Sequence, residues 1–200
     1  MPSIKQVKPF WLSLCVALLI SGCTSLPSTS EKPGGDADKS VNSVLQRSYE
    51  EALLSLRQGD LEAAMRQFQR LAKANPRLAG PMTNIGIIHL KQNDPGAAEQ
   101  AFREALARNP ESAPAHNQLG VALRLQGRFQ EAAQAYQQAL ELEPVYLLAH
   151  RNLGILYDLY LADPAKALQQ YRLYQKLAEA PNQEIEGWIM DLERRVGDGK

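Results

Sequence analysis

Sliding this 200-residue chain along itself by 34 positions brings four segments into register, beginning near Leu45, Ala79, Ala113 and Leu147. Self-similarity at a fixed period of this size is the signature of a stacked repeat, in which each unit buries its apolar face only against its neighbours. Small residues recur at repeat position eight (Ala52, Gly86, Gly120, Gly154) and position twenty (Ala64, Ala98, Ala132, and Ala167 one residue late). They allow two antiparallel helices to approach closely. Aromatic residues recur at position twenty-four (Phe68, Phe102, Tyr136 and the displaced Tyr171), where a ring is expected to fill the space between neighbouring hairpins. Pro76, Pro110 and Pro144 close the units. Proline cannot continue a helix and pushes its predecessor out of helical geometry, so each marks the turn into the next hairpin. Within hairpins, Gly59 and Gly127 supply the positive φ that a helix C-terminus favours, and Asn93 can adopt it at some cost.

These residues resemble the tetratricopeptide repeat over about Leu45 to Pro181, and the third unit, APAHNQLGVALRLQGRFQEAAQAYQQALELEP, is close to that pattern throughout. The fold implied is all-α: an α-solenoid of about four helix hairpins, with repeats near 45–78, 79–112, 113–146 and 147–181 in a domain over 40–181. The fourth unit departs from the pattern. Asp163-Pro164 starts its second helix one residue late, Tyr174 replaces a small residue, and Pro181 arrives three residues beyond its expected place; a longer second helix is the expectation. Beyond it, 182–200 reads as a capping helix and frayed tail, with Asn182 as N-cap and Ile185, Trp188, Ile189, Leu192 and Val196 on one face. Stacked repeats leave an open apolar end, and a polar-backed lid keeps it soluble.

The N-terminus is of another kind. Lys5 and Lys8 precede an apolar run from Phe10 to Ile20, followed by Ser21 and Gly22. Eleven residues are too few to cross a bilayer core, which takes about 20 in a helix. Positive flank, short apolar run and small residues together predict a cleaved signal over 1–22. Its end, Ile20-Ser21-Gly22-Cys23, resembles the bacterial lipoprotein box, which implies lipid on Cys23 as the first mature residue. Thr24 rather than an aspartate follows it, and in the lipoproteins this resembles, that favours the outer membrane. Residues 23–39 then form a lipidated Cys and flexible tether, since Thr24 to Lys39 hold only Leu26 and Ala37 as apolar members and cannot offset ordering entropy. A coil of that length spans roughly 20–25 Å on average.

Removal of the signal and lipidation of Cys23 leave the mature chain without a thiol, which excludes disulfide staples, CxxC redox chemistry and Cys-ligated zinc. Without Lys5 and Lys8, 20 basic residues face 22 acidic ones, a net charge of −2, and no basic run tracks phosphates. Nucleic acid is therefore not an expected partner. His116 and His150 share repeat position four, but that position packs a large side chain inside the hairpin, as position eleven does with His89. No third ligand accompanies them, and a catalytic zinc wants three protein ligands. No serine lies in a GxSxG elbow and no glycine-rich phosphate loop follows a strand. The chain is expected to be no enzyme and to use no metal or cofactor.

Function is then expected on a surface. The tetratricopeptide resemblance implies a concave groove lined by first helices. Position nine is an apolar stripe (Leu53, Ile87, Val121, Ile155), positions five and six offer Tyr49, Asn84, Asn117, Arg151 and Asn152, with Thr83 and Gln118 beside them, and Arg57, Lys91 and Arg124 supply cations. The stripe could line a groove or seal adjacent first helices together. Some members of the family grip a C-terminal carboxylate through Lys and Asn at positions five and nine of the first repeat; Tyr49 and Leu53 stand there instead, so a hydrophobic or amphipathic segment of another protein is the expected occupant. Lipoprotein signal, tether and short solenoid together resemble the pilotin and pilus-assembly lipoproteins of type IV and tight-adherence pili. That implies a scaffold or assembly factor at the outer membrane, facing the periplasm. A regulator of a periplasmic cell-wall enzyme is the alternative.

Overall fold

The computed structural model describes residues 35–197. The expected signal peptide, Cys23 and most of the expected tether lie outside the described residues. Nine helices follow in chain order among them: α1 (Gly35–Gln58), α2 (Leu61–Ala74), α3 (Gly80–Lys91), α4 (Pro95–Arg108), α5 (Ala113–Leu125), α6 (Phe129–Leu142), α7 (Leu147–Leu159), α8 (Pro164–Leu177) and α9 (Gln183–Gly197). None of the described helices is long and apolar enough to cross a membrane. Odd and even helices up to α8 pair as four hairpins, and each hairpin packs on the next. First helices of successive hairpins also touch, α3 on α5 and α5 on α7, whereas second helices make no comparable contact. The stack therefore curves with the first helices inside.

Local chemistry sets the hairpin boundaries. Asp60, Asp94 and Asp163 each accept the backbone N–H three residues on (2.9, 2.9 and 3.0 Å), capping α2, α4 and α8, and Pro95 and Pro164 occupy N1, where a missing N–H costs nothing. Gly59 and Gly127 turn the first and third hairpins at φ +83° and +76°, and Asn93 turns the second at +60°. The fourth uses Ala162 at φ +50°, a conformation that costs an alanine strain. That turn accounts for the one-residue delay of α8.

Packing follows the small-and-ring pattern, with one correction. Phe68, Phe102, Tyr136 and Tyr171 are buried, but the ring fills its own hairpin rather than the space between neighbours. A Cβ built on Gly120 would stand 2.6 Å from the Tyr136 ring, one on Gly154 2.5 Å from Tyr171, and one on Gly86 would collide with Phe102. Glycine is required there because the ring of the second helix lies flush on the backbone of the first. One continuous cluster then runs from Phe102 through Tyr136 and Tyr171 to Ile185 and Leu192 of α9, and a second joins Phe68 to Ile85 and Ile88.

Three boundaries differ from expectation. Helix α1 begins at Gly35, inside the stretch read as tether; polar composition rules out burying a core face, but not a helical overhang beyond the packed hairpin. Helix α8 is no longer than α2, α4 and α6, each 14 residues. The extra residues before Pro181 form a connector that begins with extended Ala178 (ψ 138°) and gives α9 room to fold back. Helix α9 starts as expected, with Asn182 Oδ1 accepting the Ile185 N–H at 3.1 Å, and remains helical to Gly197, where fraying was expected to begin.

Candidate binding surface

The inner face is built from α1, α3, α5 and α7, and its polar residues prove to be joints between helices. Tyr49 Oη accepts from Asn84 Nδ2 at 2.7 Å, and the same amide donates to the Gly80 carbonyl at 3.0 Å. Burial pushes the Tyr49 hydroxyl pKa up, partly offset by the Asn84 contact. Two repeats on, Asn152 Nδ2 donates to Asn117 Oδ1 at 2.9 Å. With Asn84 8 % and Asn117 1 % exposed, neither offers the free amide expected for a ligand backbone. A buried amide left unpaired costs about 1–3 kcal/mol, so these bonds fix the register of neighbouring first helices.

Two of the expected cations are engaged in the same way. The Arg124 guanidinium reaches the Tyr160 hydroxyl at 3.4 Å and lies 5.7 Å from its ring centroid, while Phe129 stacks on that ring at 4.7 Å. Beneath them the Tyr136 hydroxyl is buried without a hydrogen-bond partner; burial pushes its pKa up to about 12, moderated by Arg124 nearby. Arg151 pairs with Glu184 at 3.3 Å and lies over the Trp188 ring at 5.8 Å, so this cation is tied to α9. Lys91 and Arg57 are exposed, and Arg57 bonds the Leu53 carbonyl of its own helix.

The position-nine stripe is divided in its role. Leu53, Ile87, Val121 and Ile155 are each half-buried, with part of the side chain packed on the core clusters and part open. They are thus seal and surface at once. At the C-terminal ends of α5 and α7, Leu125 (51 % exposed) and Leu159 (68 %) add apolar area beside Tyr160. Sequence reasoning missed these, although both stand at repeat position thirteen, where it had looked only for cations.

Two of the three histidines, His116 and His150, have structural roles. His116 and His150 donate Nε2–H to the carbonyls of Pro110 and Pro144 (2.9 and 3.0 Å), tying each first helix to the turn before it. His150 Nδ1 also meets the Gln170 side-chain amide at 2.8 Å. Among the described residues no three His, Cys, Asp or Glu side chains are grouped to hold a metal.

Stacked two-helix units with first helices inward, a glycine at the closest crossing of the second, third and fourth hairpins and a terminal lid define an α-solenoid of the helix-hairpin class. A sequence profile described as Tetratricopeptide repeat matches residues 83–146 and 126–184, and the chain belongs to that family. Solved structures agree on the fold. The Pseudomonas aeruginosa pilF structure superposes with TM-score 0.71 at 22% identity, covering 78% of this chain and 71% of that one. The crystal structure of MamA gives 0.64 at 23%, covering 73% and 84%. The first TPR of Spaghetti (RPAP3) bound to HSP90 peptide SRMEEVD gives 0.54 at 23%, covering 57% and 90%. No curated protein sequence matches the chain.

Proposed function

We propose that this protein is a non-enzymatic scaffold or assembly factor that holds an amphipathic segment of another envelope protein along its inner face. The observation that carries this is the half-open stripe Ile87, Val121 and Ile155, which runs across successive repeats beside exposed Lys91 and continues toward Leu125 and Leu159. An apolar ridge with cationic flank suits a segment bearing apolar anchors and acidic neighbours. The RPAP3 domain, similar in fold, is a repeat module bound to a peptide, which supports a segment as occupant. Placement completes the proposal. Lipid on Cys23 would hold the solenoid at the outer membrane, facing the periplasm, and type IV or tight-adherence pilus or secretion machinery is the system proposed; the likeness to pilF lends support at the level of fold.

The test replaces Val121 and Ile155 by Ser, singly and together. A folded double mutant should lose partner binding by about thirtyfold to a thousandfold, from roughly 2–4 kcal/mol of buried apolar surface. Cross-linking in the envelope names the partner, and recovery of a cell-wall enzyme instead of pilus or secretion components would favour the regulator alternative. Wild-type capture by the double mutant removes the inner face from the proposal. The anchor is tested separately: Cys23→Ala should leave an unprocessed precursor that takes up no labelled palmitate, and continued labelling would refute lipidation there.

A further inference from the structure

The two ends of the solenoid are finished differently. At the C-terminal end α9 lies on α8 and buries Ile185 and Leu192 completely. At the other end no described element covers the outer side of the first hairpin. There α1 and α2 line a cleft of about 490 Å³, whose walls include Val44 and Glu51 from α1 and Gln67, Arg70, Leu71 and Ala74 from α2. Val44 stands 60 % exposed at its rim. The Gln67 Oε1 atom is buried and receives no hydrogen bond, a state that costs stability until a donor arrives.

The charges say what kind of surface would fit. Glu51 on one wall and Arg70 on the other each form no ion pair with any described residue. A partner helix of one charge sign would satisfy one of them and repel the other. A surface related by a two-fold axis must instead be complementary to itself, presenting a protrusion with a recess and an acid with a base. This cleft has both: Val44, 60 % exposed, as the apolar group at its rim, buried Leu71 within it as the recess, and Glu51 and Arg70 as the charge pair. We propose that the α1–α2 cleft is a two-fold interface between copies of this chain, in which Val44 of each copy enters the other's cleft and Glu51 meets Arg70 across the axis. The pairing leaves the inner face of both copies open and stands independently of the function proposed above.

Sedimentation of the full chain in detergent tests this directly. A reversible dimer is expected at about 100 µM, where a micromolar complex is fully formed. Val44→Glu should abolish it, and Arg70→Glu should weaken it by about tenfold or more by setting acid against acid. The double variant Glu51→Arg with Arg70→Glu should restore it. All three positions can change with the hairpin intact, which circular dichroism checks. A wild-type monomer, a dimer indifferent to Arg70→Glu, or a double variant as weak as the single one overturns the proposal. So does a monomer in which hydrogen exchange shows the cleft already protected, since the occupant would then be the chain's own upstream residues.

Discussion

The last hairpin and the first face the same problem, an apolar side with no further repeat among the described residues to cover it, and they meet it in different ways. The C-terminal end carries its own lid: Ile185 and Leu192 of α9 are fully buried, Trp188 packs on Tyr171 at 5.1 Å, and Arg195 reaches Asp158 of α7 at 2.7 Å. The N-terminal end carries a long helix and an open cleft. A lid made from the same chain is always present, whereas a cleft is satisfied only by mass action. The difference teaches which end of this solenoid is built for permanence and which for association.

The largest expected effect lies under the lid. Gly154→Leu drives bulk into the Tyr171 ring, which already stands where a Cβ would fall, and should cost at least the upper part of the ~1–3 kcal/mol typical of overpacking. Because Tyr171 in turn supports Trp188, the fourth hairpin and α9 should be lost together. Wild-type Trp188 fluorescence and melting in this variant would show that the ring does not couple them.

Next comes a paired substitution that sharpens the contrast between ends. Leu192→Ala removes a fully buried side chain and should cost about 2–5 kcal/mol. Val44→Ala, at the exposed rim of the open end, should change monomer stability by less than about 0.5 kcal/mol. Denaturant titration measures both. Equal losses would mean that the ends are not finished differently after all.

Much of this architecture was legible in the sequence because it is periodic. The glycines at position eight, the rings at position twenty-four and the apolar face of α9 each repeat a spacing that sterics impose, and the cap was marked by Asn182 before the apolar run. The polar inner face was not legible in the same way. Tyr49 with Asn84 and Asn117 with Asn152 pair across helices 35 residues apart, and a row of amides at one helical position looks the same whether it awaits a ligand or bonds a neighbour. The open cleft was invisible for a related reason: Val44, Ser48 and Glu51 make no strong apolar stripe, and only the position of α2 reveals that they face Leu71 across a shared cleft.

The smallest effect separates the ends by pH. The lid is laced to the stack by carboxylates: Asp158 to Arg195, Glu184 to Arg151 and Glu193 to Arg172. Within α9 the hydrogen bond from Arg194 holds the Asp191 carboxyl below its ordinary value, burial opposes this slightly, and Arg195 adds to it. A carboxylate with a depressed folded pKa contributes stability above its unfolded value, about 3.9, and loses that contribution as pH falls through the lower folded value. Acid should therefore weaken α9 through Asp191, while among the described residues no ion pair crosses the cleft at the other end. These groups are at the surface, where a single pair contributes about 0–1 kcal/mol, so the change is a shift in the α9 baseline and not an unfolding step. Trp188 fluorescence followed below about pH 4 should report it, because the indole stacks on Tyr171 and beneath Arg151 and moves when α9 does. Arg195→Ala should bring the loosening to higher pH, by removing one of the two guanidinium contacts that lower the Asp191 pKa, and high salt should do the same by screening. A Trp188 signal that is flat with acid and unmoved by Arg195→Ala would show that apolar burial of Ile185 and Leu192 alone holds the lid, and that the ionic contacts only decorate it.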